Sequence, residues 1–156
     1  MCLRGVIMLT IFLDIDGVLN KSSELTQMYS LNDDCIKEFA SFCKSVNGKI
    51  VLSSSWREGF ISTHNASNTP QIKELEARFD SYGLIIADKT PKLRGRKRDD
   101  EIKRYLYFND VKRYIIIDDD EDEYRELCDE NYFVNSSYGF TYDDAKRIRK
   151  KWKKII

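Results

Sequence analysis

The sequence lacks any apolar run long enough to cross a membrane. Its longest apolar stretch, near Val6–Leu13, is interrupted by Thr10 and falls short of the roughly 20 apolar residues that a spanning helix needs. Asp14 and Asp16 follow at once, with no small-residue cleavage site, so a secretory signal is not expected either. An N-terminal strand explains the stretch better. Because Met8 lies just before the core of this strand, residues 1–7 are a candidate leader.

Paired cysteines and an excess of charge are missing as well. The four cysteines form no CxxC pair and show no metal-ligand spacing, so we expect reduced thiols in a cytoplasmic protein. The 26 basic residues balance the 26 acidic ones. No internal repeat, low-complexity tract or linker divides the chain. Its 156 residues therefore predict a single domain, 1–156.

The balanced total conceals three strongly charged segments. KLRGRKR (92–98) carries five positive charges, DDDEDE (118–123) is wholly acidic, and the segment from Lys146 to the end is strongly basic. A solvated loop or helix face would explain the basic segments without any function. Alternatively, they could contact the phosphates of a nucleic acid.

Strand and helix patterns alternate along the chain, which predicts an α/β fold with a mostly parallel sheet covered on both faces. The predicted strands are Val6–Asp14, Lys49–Ser53, Leu84–Ala87, Tyr114–Ile117 and Tyr132–Val134. Helices are predicted from Asn32 to Ser45, from Pro70 to Gly83, from Asp99 as N-cap, and from a capping box of Thr141 and Asp144.

Three of these strands end in polar clusters, in IFLDIDGVLN (11–20), KIVLSSSWR (49–57) and YIIIDDDED (114–122). One such cluster could simply start a turn, but parallel sheets bind ligands beyond the carboxyl ends of their strands, where all three would gather. Acidic strand ends that face each other repel unless a cation lies between them. An all-oxygen donor set without His or Cys favours Mg²⁺.

The segment LDIDGVLN resembles the first motif, DxDGxhx (h is apolar), of the haloacid dehalogenase (HAD) superfamily. Ser53 resembles its second motif, a basic residue before a helix its third, and Asp118-Asp119 its fourth, in the same order. RDDEIKRYL, SSSWR and GFTYDDA also resemble the HAD domains of multi-part RNA repair proteins. The likeness covers nearly the whole chain and implies a Rossmann-like three-layer sandwich.

The resemblance implies a Mg²⁺-dependent phosphohydrolase. Asp14 would attack phosphorus and form an aspartyl-phosphate, while Asp16 would protonate the leaving oxygen and later activate water. Ser53 would hydrogen-bond a phosphoryl oxygen. The metal ligands implied are Asp14, Asp118, Asp119 and the backbone carbonyl of Asp16.

The third motif is ambiguous, because five basic residues lie between Lys92 and Arg98. Arg98 directly precedes a predicted helix and is the first choice, with Lys97 second. Ser54, Arg57 and Lys97 are expected to contact substrate. Gly17 is expected to bend the chain so that Asp14 and Asp16 face one phosphorus, which a straight strand would prevent.

The gaps between motifs leave no room for a sizeable cap, because 36 residues separate Asp16 from Ser53 and 44 separate Ser53 from Arg98. An open site favours a phosphate on a large molecule, either a nucleic-acid end or a phosphoprotein, and the basic segments favour an RNA or DNA end. The resemblance alone favours a 3′-phosphate. A small-molecule phosphatase such as a nucleotidase and a non-catalytic nucleic-acid-binding module stay as alternatives.

Four remaining side chains are candidates for substrate contact. Trp56, Tyr138 and Trp152 could stack on a base, although packing explains each of them better. His64, the single histidine, is interpreted as a surface residue.

Overall fold

A computed structural model describes residues 7–24 and 30–153, without the side chains of the last two. Residues 1–6 of the candidate leader and the side chain of Trp152 lie outside this part. The strands are β1 (Leu9–Leu13), β2 (Gly48–Leu52), β3 (Ile86–Lys89), β4 (Tyr114–Asp118) and β5 (Asn131–Phe133). The α-helices are α1 (Asp33–Ser45), α2 (Pro70–Ser81), α3 (Arg98–Phe108) and α4 (Tyr142–Lys153).

The five strands form one parallel sheet in the order β3-β2-β1-β4-β5. The central strand β1 is buried along its whole length, and its last residue, Leu13, is level with Leu52 of β2 and Ile117 of β4. The chain adds β2 and β3 on one side of β1 and then crosses to add β4 and β5 on the other. This change of direction between β1 and β4 creates the crevice in which parallel sheets bind ligands.

Helices cover both faces of the sheet, as the alternating pattern predicts. On one face, α1, α2 and α4 bury a core in which Phe39 stacks on Phe79 and meets Phe140 edge to face. On the other face, α3 packs Ile102 and Tyr105 against Phe12 of β1. The α/β, three-layer prediction is therefore confirmed. Within the described ranges, no helix is long and apolar enough to cross a membrane.

The third strand begins two residues later than its sequence pattern predicts. Leu84 still bonds to the end of α2, because its N–H donates to the carbonyl of Phe79 at 2.9 Å. The strand instead extends into polar residues whose side chains find partners. Asp88 accepts from the Tyr105 hydroxyl at 2.8 Å, and the Lys89 ammonium donates to the carbonyl of Phe60 at 2.6 Å.

The start of α3 corrects a second prediction. Lys97, not Asp99, is the N-cap, and it makes no side-chain cap bond. The Asp99 carboxylate, inside the first turn, instead accepts three backbone N–H groups 3.1–3.3 Å away, those of Arg125, Glu126 and Leu127. Burial opposes its charge, but these bonds prevail and the pKa of Asp99 is lowered. The carboxylate thereby ties α3 to the loop after β4.

The predicted capping box at the start of α4 is confirmed. Asp144 accepts the Thr141 N–H at 2.8 Å, and the Thr141 hydroxyl accepts the Asp144 N–H at 3.3 Å.

The two basic segments lie at opposite ends of the sheet. The loop at 92–98 follows Thr90, whose N–H donates to the carbonyl of Leu52 at the carboxyl end of β2. The basic end of α4 lies near the amino ends of the strands. There, Arg149 donates to the Ser45 hydroxyl at 3.0 Å and Lys151 to the carbonyl of Asp129 at 2.6 Å. Only the loop is therefore close to the strand ends that carry Asp14 and Asp118.

Replacing Asp99 by Asn should destabilise the protein by about 1–3 kcal/mol at pH 7, because charge-assisted bonds to three backbone donors are weakened. The pKa of Asp99 is lowered by folding, so its contribution is present above the unfolded-state pKa of about 3.9 and is lost as pH falls through the lower folded value. Urea unfolding at pH 7 and at acid pH measures both effects. The adjacent Asp100→Asn is the control, and equal losses for both variants would contradict this role.

Candidate active site

Three strand ends bring the predicted motifs to one edge of the sheet. Asp14 follows β1, and its N–H donates to the carbonyl of Ile117 at 3.0 Å. Ser53 follows β2, and its N–H donates to the carbonyl of Leu13 at 2.9 Å. Asp118 is the last residue of β4. The backbone ladder thus extends one residue beyond β1 and β2 and fixes the position of these side chains.

Three carboxylates gather at this edge. Asp14, Asp118 and Asp119 each offer an oxygen, and these oxygens lie within 4.8 Å of one another. Asp14 and Asp118 are 2% and 0% exposed. Burial, and next the charge of Asp118, raise the pKa of Asp14 well above its usual value, and burial also raises the pKa of Asp119. A cation among them would relieve both effects.

Arg98 supplies one positive charge to this cluster from the first turn of α3. Its Nη1 atom lies 2.8 Å from Asp118 Oδ2 and 3.1 Å from Asp14 Oδ1. Burial opposes its charge, but Asp14 and Asp118 outweigh burial and raise the pKa of Arg98. Three carboxylates and one guanidinium leave a net charge of −2 when all are ionised. One divalent cation would balance that charge.

Asp118 is held rigidly in place. Its Oδ1 accepts the N–H groups of Asp119 at 2.7 Å and Asp120 at 3.0 Å. Its Oδ2 accepts the Tyr124 hydroxyl at 2.6 Å as well as Arg98. Tyr124 is buried and was not predicted as a site residue, because an aromatic six positions after an acidic residue carries no sequence signal.

Two buried polar atoms of the site have no hydrogen-bond partner in the described part of the chain, Asp14 Oδ1 and Ser53 Oγ. Arg98 is close enough to Asp14 Oδ1 for an ion pair, but its N–H groups are not directed at that oxygen. Buried polar atoms are nearly always paired, so both atoms point to a ligand. The donors are all oxygens, which fits a hard divalent cation beside an oxyanion.

Asp16 lies beside this cluster on a sharp bend. Gly17 has a φ of 80°, and the N–H groups of Val18 and Leu19 both turn back to the carbonyl of Ile15. The bend predicted from the glycine is thus present. The side chain of Asp16 is not among the clustered carboxylates. Its Oδ1 accepts instead from Asn20 Nδ2 at 3.0 Å and Trp56 Nε1 at 3.1 Å.

Comparison with known protein families agrees with this arrangement. Residues 10–145 match the family described as the HAD domain in Swiss Army Knife RNA repair proteins. The chain belongs to this family. No curated protein and no solved structure matches it. The likeness first drawn from LDIDGVLN, SSSWR and RDDEIKRYL is therefore confirmed at the level of the family.

The predicted substrate residues of this HAD domain occupy different places. Ser54 is buried, and its hydroxyl accepts the Trp56 N–H at 3.2 Å. Arg57 is also buried, but its guanidinium pairs with Glu101 of α3 and with the carbonyl of Ser54. Its charge is thus used inside the protein, because a buried guanidinium requires a partner. Contact of Arg57 with substrate stays a prediction.

Lys97 also has a partner within the protein, and its contact with substrate stays a prediction. Its ammonium contacts the backbone carbonyl of Asp122 at the surface, and no ion pair of the described residues includes it. Of the two candidates for the third motif, the structure brings Arg98 to the carboxylates. Lys97, the N-cap of α3, is directed elsewhere.

His64 is not the surface residue that its polar loop indicated. Its side chain is 8% exposed, Nε2 lies 2.7 Å from Asp80 Oδ1, and Nδ1 accepts the N–H of Ile86 at 3.0 Å. The ring joins its loop to α2 and β3. Trp56 is likewise buried, so it is not a base platform, whereas Tyr138 is 64% exposed.

Replacing Gly17 by Ala should both destabilise the protein and displace Asp119. An added Cβ would lie 2.3 Å from Asp119 Oδ2, and φ at this position is 80°. We expect a loss of about 1–3 kcal/mol from backbone strain and the clash. Gly95→Ala is the matched control, since its φ is 71° with no atom within 4 Å. Urea unfolding compares the two, and an equal loss would show that strain alone acts at Gly17.

Proposed function

We propose that this HAD domain is a Mg²⁺-dependent phosphatase that hydrolyses a phosphate monoester at the end of a nucleic acid through an aspartyl-phosphate. The observation that carries the proposal is the buried group of Asp14, Asp118 and Asp119 with Arg98 among them and Ser53 Oγ unpartnered beside them. Carboxylates, one guanidinium and a free hydroxyl together suit a phosphoryl group and its counter-ion.

In the first step, a carboxylate oxygen of Asp14 attacks phosphorus. The bond from phosphorus to the leaving oxygen breaks, and that oxygen takes a proton from Asp16. In the second step, water attacks phosphorus and gives a proton to Asp16, while the bond from phosphorus to the Asp14 oxygen breaks. Inorganic phosphate leaves, and both aspartates return to their starting state.

The other side chains bind and orient the phosphoryl group. Ser53 Oγ would donate to a phosphoryl oxygen, and Ser54 keeps its hydroxyl proton available for a second such bond. Arg98 balances charge at Asp14 and Asp118 and would hold the nucleophile in place. Mg²⁺ would be held by Asp14, Asp118, Asp119 and the backbone carbonyl of Asp16, and it would neutralise charge on the phosphoryl oxygens.

The placement of basic residues supports a nucleic-acid end as substrate. Arg94 and Arg96 are exposed in the loop before Arg98, and their side chains make no hydrogen bond or ion pair within the described ranges. Beside this loop, a groove of about 320 Å³ runs along α3 and is lined by Leu93, Arg96, Asp100, Lys103, Arg104 and Tyr107. Free guanidinium groups next to an open site suit the phosphates of a polynucleotide. The preference for a 3′-phosphate rests on the RNA repair family alone.

The first test of this proposal concerns the nucleophile and the metal. Asp14→Asn should fold but lose more than about 10³-fold in kcat, because the attacking oxygen is gone. Mg²⁺ should raise the Tm of the wild-type protein by about 5 °C, since it binds only the folded carboxylates. Chelation by EDTA should abolish turnover of an aryl phosphate until Mg²⁺ is restored.

Asp119→Asn should remove the Mg²⁺-dependent rise in Tm, whereas Asp122→Asn should keep it. Both changes remove one negative charge from the same acidic segment, but Asp122 is exposed and outside the cluster. Substantial turnover by purified Asp14→Asn would contradict the aspartyl-phosphate mechanism.

The second test concerns the substrate and uses two double variants of equal charge. Arg94→Ala with Arg96→Ala should lower kcat/KM for a 3′-phosphorylated oligonucleotide about ten-fold at low salt, because remote phosphates lose their partners. The log–log salt slope should flatten by about 0.7 for each lost contact. Lys146→Ala with Lys150→Ala, at the other end of the sheet, should change neither value. Hydrolysis of an aryl phosphate should be unaffected in both.

Equal effects of the two double variants would show general electrostatics rather than a binding loop. Equal kcat/KM values for the oligonucleotide and a 3′-mononucleotide at low salt would favour a nucleotidase. A faster reaction with a 5′-phosphorylated oligonucleotide would contradict the predicted preference for a 3′-phosphate.

A further inference from the structure

Both hydrogen bonds to the Asp16 carboxylate arrive at one oxygen. Trp56 Nε1 and Asn20 Nδ2 donate to Oδ1 at 3.1 and 3.0 Å. Trp56 is 3% and Asn20 1% exposed, so both donors are desolvated. Asp16 itself is partly exposed, and its Oδ2 forms no hydrogen bond in the part of the chain that the structure describes. The two oxygens of this carboxylate are therefore not equivalent.

The fold fixes both donors independently of Asp16. Asn20 Oδ1 accepts the N–H of Gly17 at 2.8 Å, and its Nδ2 also donates to the carbonyl of Ser30 at 2.9 Å. Trp56 lies in the short helix Ser55–Gly59 after β2, and its N–H bonds to the Ser54 hydroxyl that caps that helix. One donor thus comes from the bend after β1 and the other from the turn after β2. Asp16 cannot rotate without breaking a bond to one of them.

We infer that Trp56 and Asn20 are positioning residues that reserve Oδ2 of Asp16 for proton transfer, an inference that rests on the proposed function. A carboxylate oxygen has two in-plane lone pairs, and Oδ1 uses both for N–H donors. The proton that Asp16 gives to the leaving oxygen is therefore carried on Oδ2. The same oxygen takes the proton from water in the second step, so the proton count balances over the cycle.

This assignment explains why an indole is buried beside a partly exposed carboxylate. A buried indole N–H needs an acceptor, and a backbone carbonyl would satisfy it equally well. Here the bond instead fixes the rotation of a general acid. Orientation of that acid matters most when the leaving oxygen is strongly basic, because such an oxygen must be protonated as it departs. A well-stabilised aryloxide leaves without that help.

The test is Trp56→Phe, which keeps an aromatic ring but removes the N–H. We expect kcat/KM to fall about ten-fold for an alkyl phosphate and less than about two-fold for an activated aryl phosphate. The ratio kcat/KM reports the first phosphoryl transfer, in which Asp16 acts as the acid. The control is Tyr105→Phe, which removes a buried aromatic hydrogen bond to Asp88 away from the site and should change both rates equally or not at all. Asn20 is less suited to substitution, because its side chain also bonds to the Gly17 N–H and the Ser30 carbonyl and so supports the bend.

Equal losses of kcat/KM for the two substrates, or no loss, would overturn the inference and leave Trp56 a packing residue. A second measurement needs no turnover. The chain has two tryptophans, so a ¹⁵N spectrum contains two indole resonances. Asp16→Ala should shift one of them, and two unchanged resonances would overturn the contact itself. Absence of hydrolysis of every monoester by the wild-type protein would instead refute the proposed function.

Discussion

The arrangement of the site depends on one electrostatic constraint, the close approach of buried carboxylates at the ends of two adjacent strands. Asp14 and Asp118 are level in the sheet because β1 and β4 are paired in register. Their repulsion is partly relieved by Arg98, which lies within 3.1 Å of both. One guanidinium does not balance three carboxylates, so the site keeps a net negative charge that a bound cation would neutralise.

That constraint accounts for much of the structure around it. To present Arg98, α3 must begin at the carboxyl edge of the sheet. Asp99 secures this start by accepting three N–H groups from the loop after β4, and the Arg57–Glu101 pair ties the same helix to the turn after β2. Asp99 and Glu101 are thus buried charges with a structural role, and both lie within one helical turn of Arg98, which faces the site. The helix and the site are therefore stabilised by the same contacts.

Sequence patterns predicted the fold class, the order of the elements and the placement of Asp14, Ser53 and Asp118 at strand ends well. Apolar runs that end in polar residues define a strand and its carboxyl end, and parallel pairing then brings those ends together. Side-chain partners were predicted less well. His64 was interpreted as a surface residue and Arg57 as a substrate contact because both lie in a polar stretch, yet each is paired inside the protein. Polar sequence does not distinguish a solvated side chain from one with a buried partner.

The sequence by itself determined a parallel α/β sheet with acidic motifs at one edge, because both follow from local periodicity and strand direction. Only the tertiary structure decided which basic residue reaches those motifs, which end of the sheet each basic segment occupies, and that Trp56 and Asn20 share one oxygen of Asp16. These depend on contacts between residues up to 104 positions apart, whose geometry is set by how helices pack on the sheet. No local pattern encodes such distances.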